Sequence, residues 1–223
     1  MPGSYGTETM QDEQRYRLSF TVGGLLAPQG HIIAALFIAN DVQEDADDHG
    51  SELGERITRI RRQAIDENVL SIRTQAASTR TVSEVAKRLS TLTETELRYL
   101  ASGDTPASDQ QAFMWVAMCR YYALVGEFAS EVLRDHYLMG MPTVTREDYD
   151  RFILAKAMWH PELEKISTAT ANKLRSNVFK AMTEGGLIER GSDTLRPSLL
   201  SKTVTGILES RPESFLFFPM REH

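Results

Sequence analysis

One cysteine in 223 residues leaves no internal disulfide to form, so the chain must fold by packing alone, and a reducing, cytoplasmic setting is expected. Long apolar runs are missing as well. The longest, Ile32–Ala39, falls far short of the roughly 20 residues that a membrane-spanning helix needs, so no membrane partner is expected. The first fourteen residues, MPGSYGTETMQDEQ, hold neither a basic nor a hydrophobic stretch and read as a loose tail rather than a signal peptide. The five histidines, His31, His49, His136, His160 and His223, include no pair spaced for a shared metal. His160 with Glu162 and Glu164 fits a helix break with solvated carboxylates better than a ligand set. Cys119 falls inside an apolar stripe, which suits a core thiol and not a nucleophile. Gly23-Gly24 and Gly185-Gly186 lack the lysine and spacing of a phosphate loop, and Asp148 with Asp150 fits helix-start charge. No catalytic group, metal, cofactor or small-molecule substrate is expected, and the chain reads as a non-enzyme.

Net positive charge is also lacking. The formal charge is −6, which speaks weakly against a polyanionic partner, but its distribution is uneven. Residues 1–55 carry 2 basic and 10 acidic side chains, and residues 104–164 carry 5 and 10. Residues 56–88 reverse this with 8 basic and 3 acidic, as do residues 165–202 with 7 and 3. Two basic segments therefore sit in an acidic frame. The stretch DVQEDADDHGSE at 41–52 holds six carboxylates and reads as a solvated loop, spaced too loosely for a metal loop.

Apolar periodicity predicts a mainly α fold. YRLSFTVGG opens with a short extended piece, and a mostly apolar helix follows near Pro28. Leu53, Ile57, Ile60 and Ala64 recur at helical spacing with Arg59 and Arg62 on the far side. Thr74 can cap the next helix. Ser78, Val82, Val85 and Leu89 line its inner face, Ala77, Arg80, Glu84 and Lys87 point outward, and Arg88 lies on the flank. STLTETELRYLASGD predicts a short capped helix. Over 109–139, Met114, Met118, Tyr121, Val125, Phe128 and Val132 form a stripe widened by Trp115, Cys119, Tyr122, Ala129 and Leu133. That breadth predicts one central buried helix, with Arg120 snorkelling or meeting a carboxylate.

Beyond Gly140-Met141-Pro142, a helix starts at Thr145 and ends near Trp159. Pro161 can begin a short helix ELEKI, and Thr168 or Thr170 can cap the next. In that last helix Leu174, Val178, Ala181 and Met182 face inward. Asn172, Lys173, Ser176, Lys180 and Thr183 face outward, with Arg175 beside them. Gly185-Gly186 end it, and Leu187–Arg190 and Thr194–Arg196 can pair as a hairpin across Gly191-Ser192-Asp193. Helix, break, short helix, capped helix and hairpin is the order of a winged helix-turn-helix. Such a unit lays a helix in the major groove of duplex DNA, with Lys and Arg on phosphates and Asn, Ser and Thr on base edges or phosphates. A winged helix used only for protein contacts has the same layout.

Several unusual phrases occur in one order: YRLSFTVGGLL, then RRQAIDENVLSIRTQAASTRTVSEVAKRLSTLTETEL, then AKAMWHPELEKISTATANKLRSNVFKAMTEGGLIE, with a terminal FLFFPM. Over about residues 16 to 220 the chain resembles the BrxA family, a small component of bacteriophage-exclusion (BREX) systems of bacteria. The acidic stretch 41–52 is longer than that pattern. The resemblance implies a mainly helical fold with winged-helix-like parts, double-stranded DNA binding, no catalytic activity and a role in phage defence beside other BREX proteins. Members are similar to NusB, an RNA-binding antitermination factor, so an RNA-binding or adaptor role stays open.

The expectation is thus a tail at 1–14 and a helix-turn-helix-like part at 15–104. A central buried helix at 105–142 joins it to a winged-helix part at 143–223 with a small β-hairpin wing. The candidate DNA contacts are Asn172, Lys173, Arg175, Ser176 and Lys180 with Arg190 and Arg196, and a second patch of Arg73, Arg80, Lys87 and Arg88.

Overall fold

The computed structural model describes residues 15–41 and 52–221; the expected tail at 1–14 and all but the ends of the acidic stretch 41–52 lie outside them. The helices are α1 (Ala27–Asp41), α2 (Glu52–Asp66), α3 (Gln75–Leu89), α4 (Glu94–Ala101), α5 (Ala107–Tyr121), α6 (Ala123–Phe128), α7 (Asp135–Leu138), α8 (Arg146–Ala157), α9 (Thr168–Glu184) and α10 (Lys202–Leu208). A π-helical turn, Ala129–Arg134, joins α6 to α7, and a 3-10 turn, Pro212–Phe217, follows α10. The chain is mainly helical, as its periodicity predicts.

Helices α3, α4, α8, α9 and α10 begin where a short polar side chain takes an orphan backbone amide. Thr74 accepts the Ala77 amide, and Thr93 and Glu96 cap α4 reciprocally. Thr145 and Asp148 do the same for α8. Ser167 caps α9, one residue before the nearer of the two expected threonines. At the far end of α9, Gly186 adopts φ +68°, and the Leu187 amide reaches back to the Met182 carbonyl at 2.9 Å.

The capping pair of α8 gives a pH dependence. Burial pushes the Asp148 carboxyl up, but bonds from Thr145 and Arg151 outweigh it and hold it below its ordinary value. A carboxyl depressed by folding stabilises fully above its unfolded pKa, and that contribution fades as pH falls through the folded value. Asp148→Asn is expected to cost about 1 kcal/mol at neutral pH, the size of a helix cap. The gap to wild type should close below about pH 4, where the unfolded carboxyl also protonates. Urea midpoints across that range check it.

Helix α5 lies at the centre and packs against α1, α3, α4, α9, α10 and the 3-10 turn. Phe113–Cys119 are all buried in it. The expected single central helix over 105–142 is interrupted, however. Tyr122 leaves helical geometry at φ −109°, ψ 91°, where α5 ends and α6 begins. Gly126 is what permits the tight break, because a Cβ there would stand 2.8 Å from the Cys119 carbonyl oxygen. Arg120 meets a carboxylate, as the sequence favoured. Its Nη1 and Nη2 donate to the two Glu96 oxygens at 2.7 and 2.8 Å, and Nη2 also reaches Ser214. The C-terminal phrase folds back onto the same helix, where Trp115 Nε1 donates to the Phe217 carbonyl at 2.8 Å.

Three further expectations are corrected. The short helix from Pro161 is a pair of turns, with Leu163 bonded to His160 and Lys165 to Glu162. No β-strand forms among the described residues: the hairpin wing is reduced to one isolated bridge, Ile188 with Leu195, beside a second between Thr143 and Thr194. Three or four paired residues with Gly191 and Asp193 at positive φ are too few to extend a ladder. Glu84 and Arg88 are not on the outer face or flank of α3 but buried.

Residues 15–26 form a strap across the C-terminal part. The Tyr16 amide donates to Glu162 at 2.8 Å, the Phe20 carbonyl accepts from Asn177 at 2.8 Å, and the Leu25 amide donates to Glu184 at 2.6 Å. From the other side Arg88 of α3 donates to the Gly24 and Leu25 carbonyls at 2.9 and 3.1 Å. The C-terminal ends of α3 and α9 thus meet across Gly24-Leu25.

Candidate nucleic-acid interface

Helix α9 carries the more complete of the two basic surfaces. Leu174, Val178, Ala181 and Met182 are buried, joined by Asn177 and Phe179. Asn172, Lys173, Ser176 and Lys180 are exposed on the opposite face. Lys173 forms no ion pair among the described residues. Lys180 Nζ lies 3.7 Å from Glu184, too far for a strong hydrogen bond. Arg175 differs: it is half-buried, ion-paired with Asp150 and bonded to Asn172 Oδ1 at 3.0 Å. Arg175 must loosen its ion pair to contact a ligand, whereas exposed Asn172 commits only its Oδ1.

Arg190 and Arg196 are exposed on the bridged turn after α9. Lys180 and Arg190 meet in one cleft of about 540 Å³, whose walls include Gly23, Gln29, Gln111 and Glu184. The outward face of α9 and the following turn are therefore contiguous at this point.

The second surface is thinner than expected. Arg73 and Arg80 are exposed and Lys87 is half-buried. Arg88 has no exposed surface. Its Nε donates to Glu84 Oε1 at 3.0 Å, and Nη2 lies 2.9 Å from the same oxygen. Its guanidinium is enclosed and cannot meet a ligand. A further basic side chain, not among the expected contacts, borders this surface. Exposed Arg61 of α2 donates to Ser83 Oγ at 2.9 Å, beside Arg80 and Lys87. Its place in the basic segment 56–88 was the signal available in the sequence.

The reactive side chains elsewhere have structural duties. Cys119 is buried, and burial pushes its thiol well up. His160 bonds Glu162 at 3.2 Å and stacks on Tyr16 with ring centres 3.9 Å apart. Burial and the neighbouring Glu84 carboxylate push the Tyr122 phenol up, and Tyr122 donates to that carboxylate at 2.8 Å. Among the described residues no group of three His, Cys, Asp or Glu side chains is placed to hold a metal, and no helix is long and apolar enough to cross a membrane. Leu154 of α8, and Met158 and Trp159 just past its end, stand exposed.

Known proteins place this arrangement. A BREX protein BrxA of Paramagnetospirillum magneticum is 27% identical over 205 residues, covering 92% of this chain and 95% of its own. BREX proteins BrxA of Escherichia coli O9:H4 and Bacillus cereus are each 23% identical, over 57% and 64% of this chain and 59% and 71% of theirs. A crystal structure of an uncharacterized protein from Magnetospirillum magneticum superposes with a TM-score of 0.72 at 23% identity, covering 91% of this chain and 96% of that one, which establishes a shared fold. The sequence profile of the BrxA family matches residues 14–212, and the chain belongs to that family.

Proposed function

We propose that the protein is a non-enzymatic, sequence-tolerant binder of double-stranded DNA within a bacteriophage-exclusion system, acting beside other BREX proteins. The observation that carries the reading is the exposed row Lys173, Ser176 and Lys180 on α9, continued by Arg190 through the shared cleft. In this reading 143–223 is a winged-helix-like unit. Helix α9 takes the recognition position, the bridged turn with Arg190 and Arg196 takes the wing position, and α8 packs behind. Residues 15–104 form the second unit, with Arg73, Arg80 and Lys87 as an auxiliary patch joined by Arg61. The lysines and arginines neutralise phosphates, which gives affinity with little sequence preference. The acidic remainder of the chain repels DNA and confines it to these strips.

A second reading is favoured by the exposed apolar face Leu154, Met158 and Trp159, of a kind that marks protein contacts. There the chain is an adaptor and its basic strips are incidental. A third, NusB-like reading puts RNA on the basic surface. Competition separates the three. The isolated protein, titrated at low salt with labelled duplex DNA, is expected to bind it and to release it to unlabelled duplex more readily than to hairpin RNA. Preferential release to RNA supports the third reading, and no binding at low salt supports the adaptor.

A further inference from the structure

The cleft beside Gly23 differs from ordinary charged surface in where its groups come from. Lys180 belongs to α9, Arg190 to the turn after it, Gln29 to the first turn of α1 and Gln111 to α5. Four parts of the chain therefore bring side chains that carry nitrogen donors to the wall of one space of about 540 Å³. The acid in the wall, Glu184, is already engaged. Its Oε2 accepts the Leu25 amide at 2.6 Å, and Oε1 lies 3.7 Å from Lys180 Nζ. Arg190 has no ion pair among the described residues. The strap supplies bare backbone at the wall, since a Cβ on Gly23 would stand 3.8 Å from Lys180 Nζ and 3.0 Å from Asn177 Oδ1. A guanidinium, an ammonium and two amides around an open space match a tetrahedral oxyanion, with the arginine able to bind two of its oxygens at once.

We infer that this cleft is a discrete phosphate subsite. Arg190 and Lys180 grip one phosphate group, and Gln29 and Gln111 donate to its outer oxygens. Glu184 is a positioning residue that fixes the strap, and it keeps the grip weak enough for release. On the DNA-binding reading above, that phosphate belongs to the strand backbone, held at the edge of the groove that α9 faces. Gln29, Gln111 and Gly23 thereby join Lys180 and Arg190, two of the contacts expected from the sequence.

Amide and side-chain NMR signals of the full chain test the inference with two probes, inorganic phosphate and a short duplex. Phosphate is expected to move the signals of Gly23 and of the Gln29 and Gln111 side-chain amides, and Lys180→Gln with Arg190→Gln is expected to abolish the movement. Both residues are exposed, so thermal unfolding should be unchanged. The duplex is expected to move the same signals. Arg190→Gln should weaken duplex binding about tenfold near 0.1 M salt and shallow the salt slope by about 0.9, the share of one phosphate. A duplex that binds without touching these signals overturns the inference and leaves the DNA reading standing. Cleft signals that answer to phosphate while no duplex binds anywhere support the subsite, as one for a free phosphate ester, and reject the DNA reading. Silence to both probes overturns the subsite.

Discussion

Arg88→Met is expected to cost about 3–5 kcal/mol of stability, the usual penalty for removing one partner of a buried ion pair. The substitution preserves bulk and removes charge. Glu84, 2% exposed, would lose its guanidinium partner and keep the bond from the Tyr122 hydroxyl. The Gly24 and Leu25 carbonyls would lose their donor from α3. A buried carboxyl without its cation and two unpartnered acceptors are more costly than the pair was favourable. At about 2–4 °C per kcal/mol for a chain of this size, the thermal midpoint should fall by roughly 6–20 °C. Lys87→Met, one residue away and half-buried, should move it little. Adding Glu84→Leu to Arg88→Met should recover part of the loss, because the orphaned carboxylate goes with it. Circular dichroism melts of the four proteins decide the matter: a variant at Arg88 that melts with wild type would mean that its guanidinium is not enclosed.

That arginine also marks where the sequence stops being legible. Helical periodicity places Ser78, Val82, Val85 and Leu89 inside α3, and all four are buried. The same wheel puts Glu84 outward and Arg88 on the flank, because it treats each charge as seeking water. Two opposite charges one helical turn apart can instead neutralise each other in the core, and periodicity carries no sign of that. Asn177 is a parallel case. It is polar and buried because the carbonyl it serves, on Phe20, is 157 residues away. The break at Tyr122 has no proline or glycine at its own position, and Gly126 explains it only once the backbone's approach to Cys119 is known. The helix caps needed no long-range information, so Thr74, Thr93 and Thr145 were readable. The expected wing was not resolved into strands, because turn residues specify a reversal but not the length of the ladder that follows it.

The outward direction of Lys173, Ser176 and Lys180 was readable for the reason the caps were: it depends on one helix and its buried stripe. What those side chains bind depends on a partner. Reversing two of their charges is expected to be the most damaging change to that binding. Lys173→Glu with Lys180→Glu removes two phosphate contacts and adds repulsion, so duplex affinity should fall about 100-fold near 0.1 M salt. Both positions are exposed, and the fold should survive. Lys180→Glu places a second carboxylate near Glu184, so Lys173→Gln with Lys180→Gln serves as the neutral counterpart, with a smaller loss in the same direction.

The salt dependence of duplex binding counts the phosphates that the basic face of α9 neutralises. Log K is to be plotted against log salt for wild type and for the doubly reversed variant. The expected result is a steep wild-type line and a variant line shallower by about 1.8, the share of two phosphates. Two lines of equal slope and equal affinity would contradict it, and would take the double helix off this face of α9.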